Sequence, residues 1–347
     1  MKRRRRTVYL YFFSKHAMVI GLCIVALMAL IPLRPPNPVN LRQAAAVGAP
    51  GEDAHRLLER VAKVFDAPPV DARIDRVWQL VPELNGLRLN IQATLRRWEG
   101  LDTRMVFEQV APRTTASDLV AAPIYRGNPA KREMALMFNV AWGTEYVPGI
   151  LSILRAHHAK ATFFLDGSWT KRNPDVARQI AAAGMEVGSH AYNHPMMSRL
   201  SREQMISQLT RTNSAITAAT GLQVALFAPP AGDFNSMVVR VAAGMNMKTI
   251  LWTLDTIDWR RPAPAVILRR IVPRRTPGAL VLMHPTAPTV AALPAMIRQL
   301  QQAGYRLVTV SQLLSPVRPA PKTLRSALTA AGLSDNGASD IVKQNDA

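Results

Sequence analysis

From Lys131 onward the chain alternates short, unbroken apolar runs with longer segments whose apolar residues recur at helical spacing. A continuous apolar run is what a strand buried on both faces requires. The helical segment after it is the crossover that lets the next strand lie parallel. The runs Met134–Val140, Ala161–Leu165, Met185–Gly188, Val224–Phe227, Thr249–Leu254, Leu280–Met283 and Leu307–Val310 read as strands. Helical patterns fall between them, over Pro148–His157, Asn173–Ala183, Arg202–Thr220, Ser236–Gly244, Pro264–Ile271 and Thr289–Ala303. Seven strands with helices between them predict an α/β barrel of parallel strands, with its functional groups at the C-terminal strand ends.

The 347 residues leave room for more than this barrel, and their composition, 48% apolar and 19% charged, excludes a disordered or fibrous chain. The single cysteine, Cys23, excludes an intramolecular disulfide and a cysteine-ligated zinc site, so histidines and carboxylates would have to hold any metal. A formal charge of +20 suggests nucleic acid until its placement is considered. Residues 1–43 hold Lys2, Arg3, Arg4, Arg5, Arg6, Lys15, Arg34 and Arg42 and no acid, and the remaining excess is dispersed without aromatic interleaving. No nucleic-acid partner is therefore expected, and the basic surface suits anionic envelope polymers or lipid headgroups.

The uncharged stretch Ala17–Leu33 would reach about 25 Å as a helix, enough for one membrane crossing if Lys15 snorkels. The basic residues before it orient the chain with its N-terminus inside and its bulk outside the cytoplasm. A retained single-pass anchor is the preferred reading. The alternatives are a signal peptide cleaved near Ala44-Ala45-Ala46 and a buried core helix. The resulting plan is a basic tail and anchor over 1–43 and a linker with a small α/β module over 44–126. The barrel follows over 127–315, closed by the prolines at 316, 319 and 321, and then a polar C-terminal tail over 316–347 whose last residues are expected to fray. An amphipathic helix over Ala54–Phe65 and a turn into Leu87–Ile91 are expected within the small module, which carries no catalytic constellation.

Chemistry concentrates at the predicted strand ends. His190 and His194, four residues apart, would share one side of a helical turn, the arrangement a divalent cation needs from one segment; two capping or surface histidines are the competing reading. Asn139 lies at the end of the first strand, Asp255 and Asp258 follow the fifth, and His284 follows the sixth. An imidazole beside a carboxylate is a natural acid catalyst near neutrality.

With these residues in place, the stretch from about Lys131 to Leu314 resembles the NodB-homology polysaccharide deacetylases, and within them the sporulation-associated branch of endospore-forming bacteria. The matching pieces are Phe138-Asn139-Val140-Ala141-Trp142-Gly143, Ala161–Leu165, His190 through His194-Pro195, Ala228-Pro229-Pro230-Ala231-Gly232, Asp255-Thr256-Ile257-Asp258-Trp259 and Leu282-Met283-His284. The branch also resembles this chain in its membrane anchor and in a segment like Pro123–Pro129. The resemblance implies a distorted (β/α)7 barrel that hydrolyses N-acetyl groups of a cell-wall amino-sugar polymer. It implies His190 and His194 as ligands of a weakly held Zn2+, Co2+ or Mn2+, with no organic cofactor, and His284 as general acid tuned by Asp258. It further implies a pocket walled by Trp142, Pro230, Ala231, Trp259, Leu282 and Met283, with the Ala231 amide facing the developing oxyanion.

The same resemblance exposes a departure. The family places two adjacent aspartates, a base and a third metal ligand, where this chain has Asn139-Val140, and an arginine that pairs with that base where it has Ala228. An amide cannot take a proton at neutral pH. An unpaired buried arginine would be costly, so the two losses are consistent with each other. Glu145 and Asp166 are the nearest replacement carboxylates; a first-turn helix acid and a turn residue are their plainer readings. The expected function is a deacetylase-like hydrolase with a non-standard site. Its rival is a glycan-binding protein on the same fold that has lost turnover.

Overall fold

The computed structural model of the protein describes residues 51–332. The predicted anchor, the Ala44-Ala45-Ala46 cleavage alternative and residues 333–347 lie outside them. Among the described residues no helix is long and apolar enough to cross a membrane. The first helix, α1 (Glu52–Phe65), buries Ala54, Leu57, Leu58 and Val61 on one face, with acids in its first turn and Lys63 in its last, complementing the helix dipole. Two short antiparallel hairpins follow, β1 (Arg73–Asp75) with β2 (Gln79–Val81) and β3 (Gly86–Leu89) with β4 (Phe107–Val110), with α2 (Ile91–Leu95) between the last two strands.

The barrel begins at β5 (Glu133–Val140), buried along its whole length. It continues through α3 (Val147–Ala156), β6 (Ala161–Leu165), α4 (Gly167–Arg172), α5 (Pro174–Ala182), β7 (Glu186–Ser189) and α6 (Arg202–Thr220). Next come β8 (Leu226–Phe227), α7 (Ser236–Gly244), β9 (Lys248–Thr249), β10 (Leu254–Asp255), α8 (Pro264–Ile271), β11 (Leu280–Met283) and α9 (Ala287–Gln302). The chain ends through β12 (Arg306–Val308), α10 (Val310–Leu314) and α11 (Leu324–Ala330). The strands pair in parallel in the order β10-β11-β5-β6-β7-β8-β9, with β12 beside the start of β5.

Two details differ from the expected seven-stranded barrel. The run Thr249–Leu254 is two strands, since β9 pairs with β8 and β10 with β11 and the two do not pair with each other. The sheet is thus a curled, incomplete barrel. The opening is bridged by residues 123–127: Ile124 N donates to Thr249 O, Leu251 N to Ile124 O, and Gly127 N to Gly278 O, at 2.8–2.9 Å. The last strand does not close the barrel either. It wedges at the base, where Arg306, Leu307 and Val308 pair with Glu133, Met134 and Ala135.

Side-chain alternation along β5 sets the two layers. Leu136, Phe138 and Val140 face outward into the core beneath the helices, where Phe138 stacks on Phe163 at 4.8 Å. Ala135 and Met137 face inward with Phe164, Leu226, Ala228 and Leu280. Leu80 and Ile124, from before the barrel, fill this inner core too. The described residues accordingly belong to one compact unit. The part of the expected polar tail that is described holds a short helix: Thr323 and Ser326 form a capping box, and α11 buries Leu324, Ala327 and Leu328. Leu324 N also donates to Thr103 O of the small module.

Candidate functional site

Asn139 continues the inward series of Ala135 and Met137, so it emerges at the mouth, where the inner core ends. It lines a cavity of about 390 Å3 together with His190, His194, His284 and Asp255. Trp142, Trp252, Trp259, Leu282, Ala141 and Ala231 complete the wall. Loops of unusual backbone shape hold it open. Ala191, His194, Ala231 and Ile257, all around the mouth, have φ between 53 and 59°. Each such residue costs about 1–3 kcal/mol, strain that persists where surrounding packing fixes a site.

The acid side is fully wired. Asp258 follows the left-handed Ile257, is wholly buried, and receives three hydrogen bonds. His284 Nδ1–H donates to Oδ1 at 2.8 Å; His284 N and Thr289 Oγ1 donate to Oδ2 at 2.6 and 2.5 Å. This fixes the imidazole tautomer and leaves Nε2 for the cavity. Trp142 lies parallel to the ring at 5.9 Å and 4°.

The opposite side is different. His190, buried at the end of β7, donates Nδ1–H to Ala228 O at 2.7 Å. Burial, reinforced by His194, holds its pKa down to about 3, so its ring is neutral at physiological pH. The His194 ring meets it edge-on at 5.1 Å. A loop brings them together, not the expected helical turn; residues 190–196 form no helix. Asn139 is 4% exposed, and its Oδ1 accepts no hydrogen bond.

Four predicted residues sit elsewhere. Met283 faces the outer core, because it alternates with the cavity-facing Leu282 along β11. Pro230 is buried beside the wall without lining it. Asp166 caps α4, its Oδ1 accepting from Trp169 N at 2.8 Å and Ser168 Oγ at 2.6 Å. Glu145 is exposed in the first turn ahead of α3. Neither carboxylate reaches the cavity wall, so the plainer reading of each is the observed one. Trp252 and Ala141 are the wall residues missed, and Asp255, expected at the rim, was given no role there. Burial raises the Asp255 carboxyl above its usual range, opposed by the hydrogen bond it receives from Ile257 N at 2.8 Å.

The family model for polysaccharide deacetylase matches residues 126–250. The protein YlxY of Bacillus subtilis is 40% identical over 281 residues, covering 80% of this chain and 88% of its own. The chain belongs to the polysaccharide deacetylase family. It is 32% identical over 183 residues to the peptidoglycan-N-acetylglucosamine deacetylase PgdA of Listeria monocytogenes, spanning 52% of this chain and 39% of that one. Among solved structures, a CE4 family pseudoenzyme from Bacillus anthracis shares 42% identity at a TM-score of 0.71, covering 76% of this chain and 96% of that one. A mutant of that pseudoenzyme is described as having restored enzymatic activity.

Deacetylases of this family are metal-dependent, and the residues present here do not fit such a centre. Two imidazoles converge, but among the described residues no group of three or more His, Cys, Asp or Glu could hold a metal ion. Val140 turns into the outer core, and Asn139 offers a neutral amide oxygen, a weak donor to zinc. A catalytic zinc needs three protein ligands and an open position, and this polysaccharide deacetylase homologue supplies two.

Proposed function

We propose that the protein engages peptidoglycan-type amino-sugar chains at this cavity and hydrolyses their N-acetyl groups only at a residual rate. One observation carries the reading. The acid pair Asp258–His284 is intact, while the position across the cavity holds Asn139, which cannot accept a proton. The tryptophans offer stacking faces to sugar rings, and Leu282 and Ala231 offer room for a small substituent on the sugar's C2 nitrogen. For the reaction itself, water attacks the acetyl carbon and gives up a proton to solvent, and the carbon–nitrogen bond breaks to leave the acid and the amine. A doubly protonated His284, its Nδ1–H kept on Asp258, gives its Nε2 proton to the departing nitrogen and regains one from solvent. With no base for the attacking water, the rate falls by about 10²–10⁴-fold.

The basic N-terminus and the apolar run over 17–33 support a single-pass anchor that places this cavity in the envelope, facing the wall. The resemblance to the sporulation-associated branch supports a wall formed around a developing spore. The test uses the full chain in mild detergent, with Zn2+, Co2+ or Mn2+ supplied in turn. Acetate released from chitooligosaccharides and peptidoglycan is measured alongside retention of the chain on insoluble peptidoglycan. Retention with acetate near background is expected. Rapid release that is abolished by His284→Ala would make the chain a full hydrolase, and Asp255→Asn, at the carboxylate on the cavity wall, would then test for the base. Loss of retention would overturn the reading.

A further inference from the structure

The family's chemistry ends in a free amine, and the cavity has features that fit that group better than an amide. Asp255 is a partly buried carboxylate on the wall, and no ion pair reaches it among the described residues. The nearby Arg270 donates from Nη1 to Thr256 O at 2.9 Å, and the Arg260 guanidinium lies over the Trp259 ring at 4.7 Å. Among the described residues no lysine or arginine lines the cavity. Three tryptophans share the wall with Asp255, and indole faces attract cations. Asn139 lines the same space, and its Oδ1, closed off and without a donor as the amide stands, comes to that space when the amide turns over about its last bond.

A buried acceptor lacking a donor costs free energy, and so does a desolvated carboxylate lacking a counter-ion. One ligand group relieves both. An ammonium has three N–H donors and a positive charge; an acetamide has one N–H and none.

Resting on the proposed engagement of amino-sugar chains, we infer that this cavity preferentially binds a glucosamine-type residue whose C2 nitrogen is a free, protonated amine. Asp255 is the counter-ion, Asn139 Oδ1 an acceptor, and the tryptophans the cage. Such a residue is the product of N-deacetylation, so the chain acts downstream of an active deacetylase, as a reader of de-N-acetylated wall.

The test compares binding of the full chain to a glucosamine oligosaccharide and to the same oligosaccharide after chemical N-acetylation. Tryptophan fluorescence is the readout at about pH 5.5, where the amine of a glucosamine residue, made less basic than an alkylamine by its neighbouring oxygens, is largely protonated. The free amine is expected to bind about tenfold more tightly, in line with a charge-assisted hydrogen bond plus cation–π attraction. Asp255→Asn, which keeps the acceptor for Ile257 N, is expected to bring the two oligosaccharides within about twofold of each other. Equal or tighter binding of the N-acetylated form overturns the inference while leaving the proposed function standing. An unchanged preference in Asp255→Asn overturns the assignment of the counter-ion. Binding of neither oligosaccharide overturns both. The re-acetylated ligand tests the preference on the unmodified protein, so the result does not depend on the variant folding.

Discussion

On one wall of the cavity Asp258 receives three hydrogen bonds within 2.8 Å and His284 is held in a single tautomer; on the other, Asn139 Oδ1 receives none and His190 sits neutral beside His194. The first wall is complete without a ligand, because everything it needs is supplied by β11, the Asp258 turn and α9. The second is incomplete without one. A structural remnant would be expected to lose its unsatisfied polar groups, since an orphaned buried acceptor costs about 1–3 kcal/mol. Keeping Asn139 open to the cavity while the acid wall stays intact points to a ligand that completes the second wall.

The largest effect should come from making the two walls alike. Asn139→Asp together with Ala228→Arg restores a proton acceptor opposite His284 and gives it a cationic partner from the inner core at position 228. It also gives His190 and His194 a carboxylate neighbour. Acetate release from chitooligosaccharides with added Zn2+ is expected to rise at least about 10²-fold over wild type. Release that stays at the wild-type level in a folded double variant would mean that position 139 is not where the base belongs.

Next in size is damage to the finished wall. Asp258→Asn swaps one acceptor for a donor that faces either Thr289 Oγ1 and His284 N or His284 Nδ1. A loss of about 2–4 kcal/mol in stability is expected from urea unfolding, as for other buried charged hydrogen-bond networks. A loss below about 0.5 kcal/mol, the range of ordinary surface changes, would show that the three bonds do not act as a network.

The neutral imidazole of the second wall sets a pH dependence. His190 takes up a proton near 6.5 when unfolded and near 3 when folded. Below pH 6.5 the unfolded chain binds a proton that the native state refuses. The stability is therefore fully present above that pH and is lost as pH falls toward 3, by up to about 1.4 kcal/mol per unit. Between pH 7 and pH 5 the His190 share is about 2 kcal/mol. His190→Asn keeps a donor for Ala228 O without a titrating ring, and its unfolding free energy should fall less over the same interval. Equal slopes would remove His190 from the account.

Much of this cavity was legible from the sequence, and the misses have physical causes. Strand-end histidines follow from chemistry placed after apolar runs, the Asp258–His284 pair was implied by the family resemblance, and the structure brings these residues to one mouth. Met283 was misplaced because the motif was taken as a block, whereas period-two alternation puts Leu282 and Met283 on opposite faces. The run Thr249–Leu254 shows burial but not pairing partner, and the partner changes within it while Ile250 bridges to Ile124. Asp255 was seen at the rim, but the absence of a counter-ion is a fact of three dimensions that no spacing records. The helix Leu324–Ala330 was signalled by Thr323 and Ser326 and by the spacing of Leu324, Ala327 and Leu328, a pattern masked by the prolines before it.

The smallest expected effect separates the walls by sign. Asn139→Leu removes the orphaned oxygen from a site with open space beside it, so the protein should gain about 1 kcal/mol of stability. The same kind of change at Asp258 should cost stability, because its three donors would lose their acceptor. Asn139→Leu should also weaken retention on peptidoglycan, since the group that completes the second wall through a ligand is gone. Stability measured by urea unfolding and retention measured on insoluble wall should move in opposite directions in this one variant. If both fall together, Asn139 supports the fold in the way Asp258 does, and the contrast between the two walls disappears.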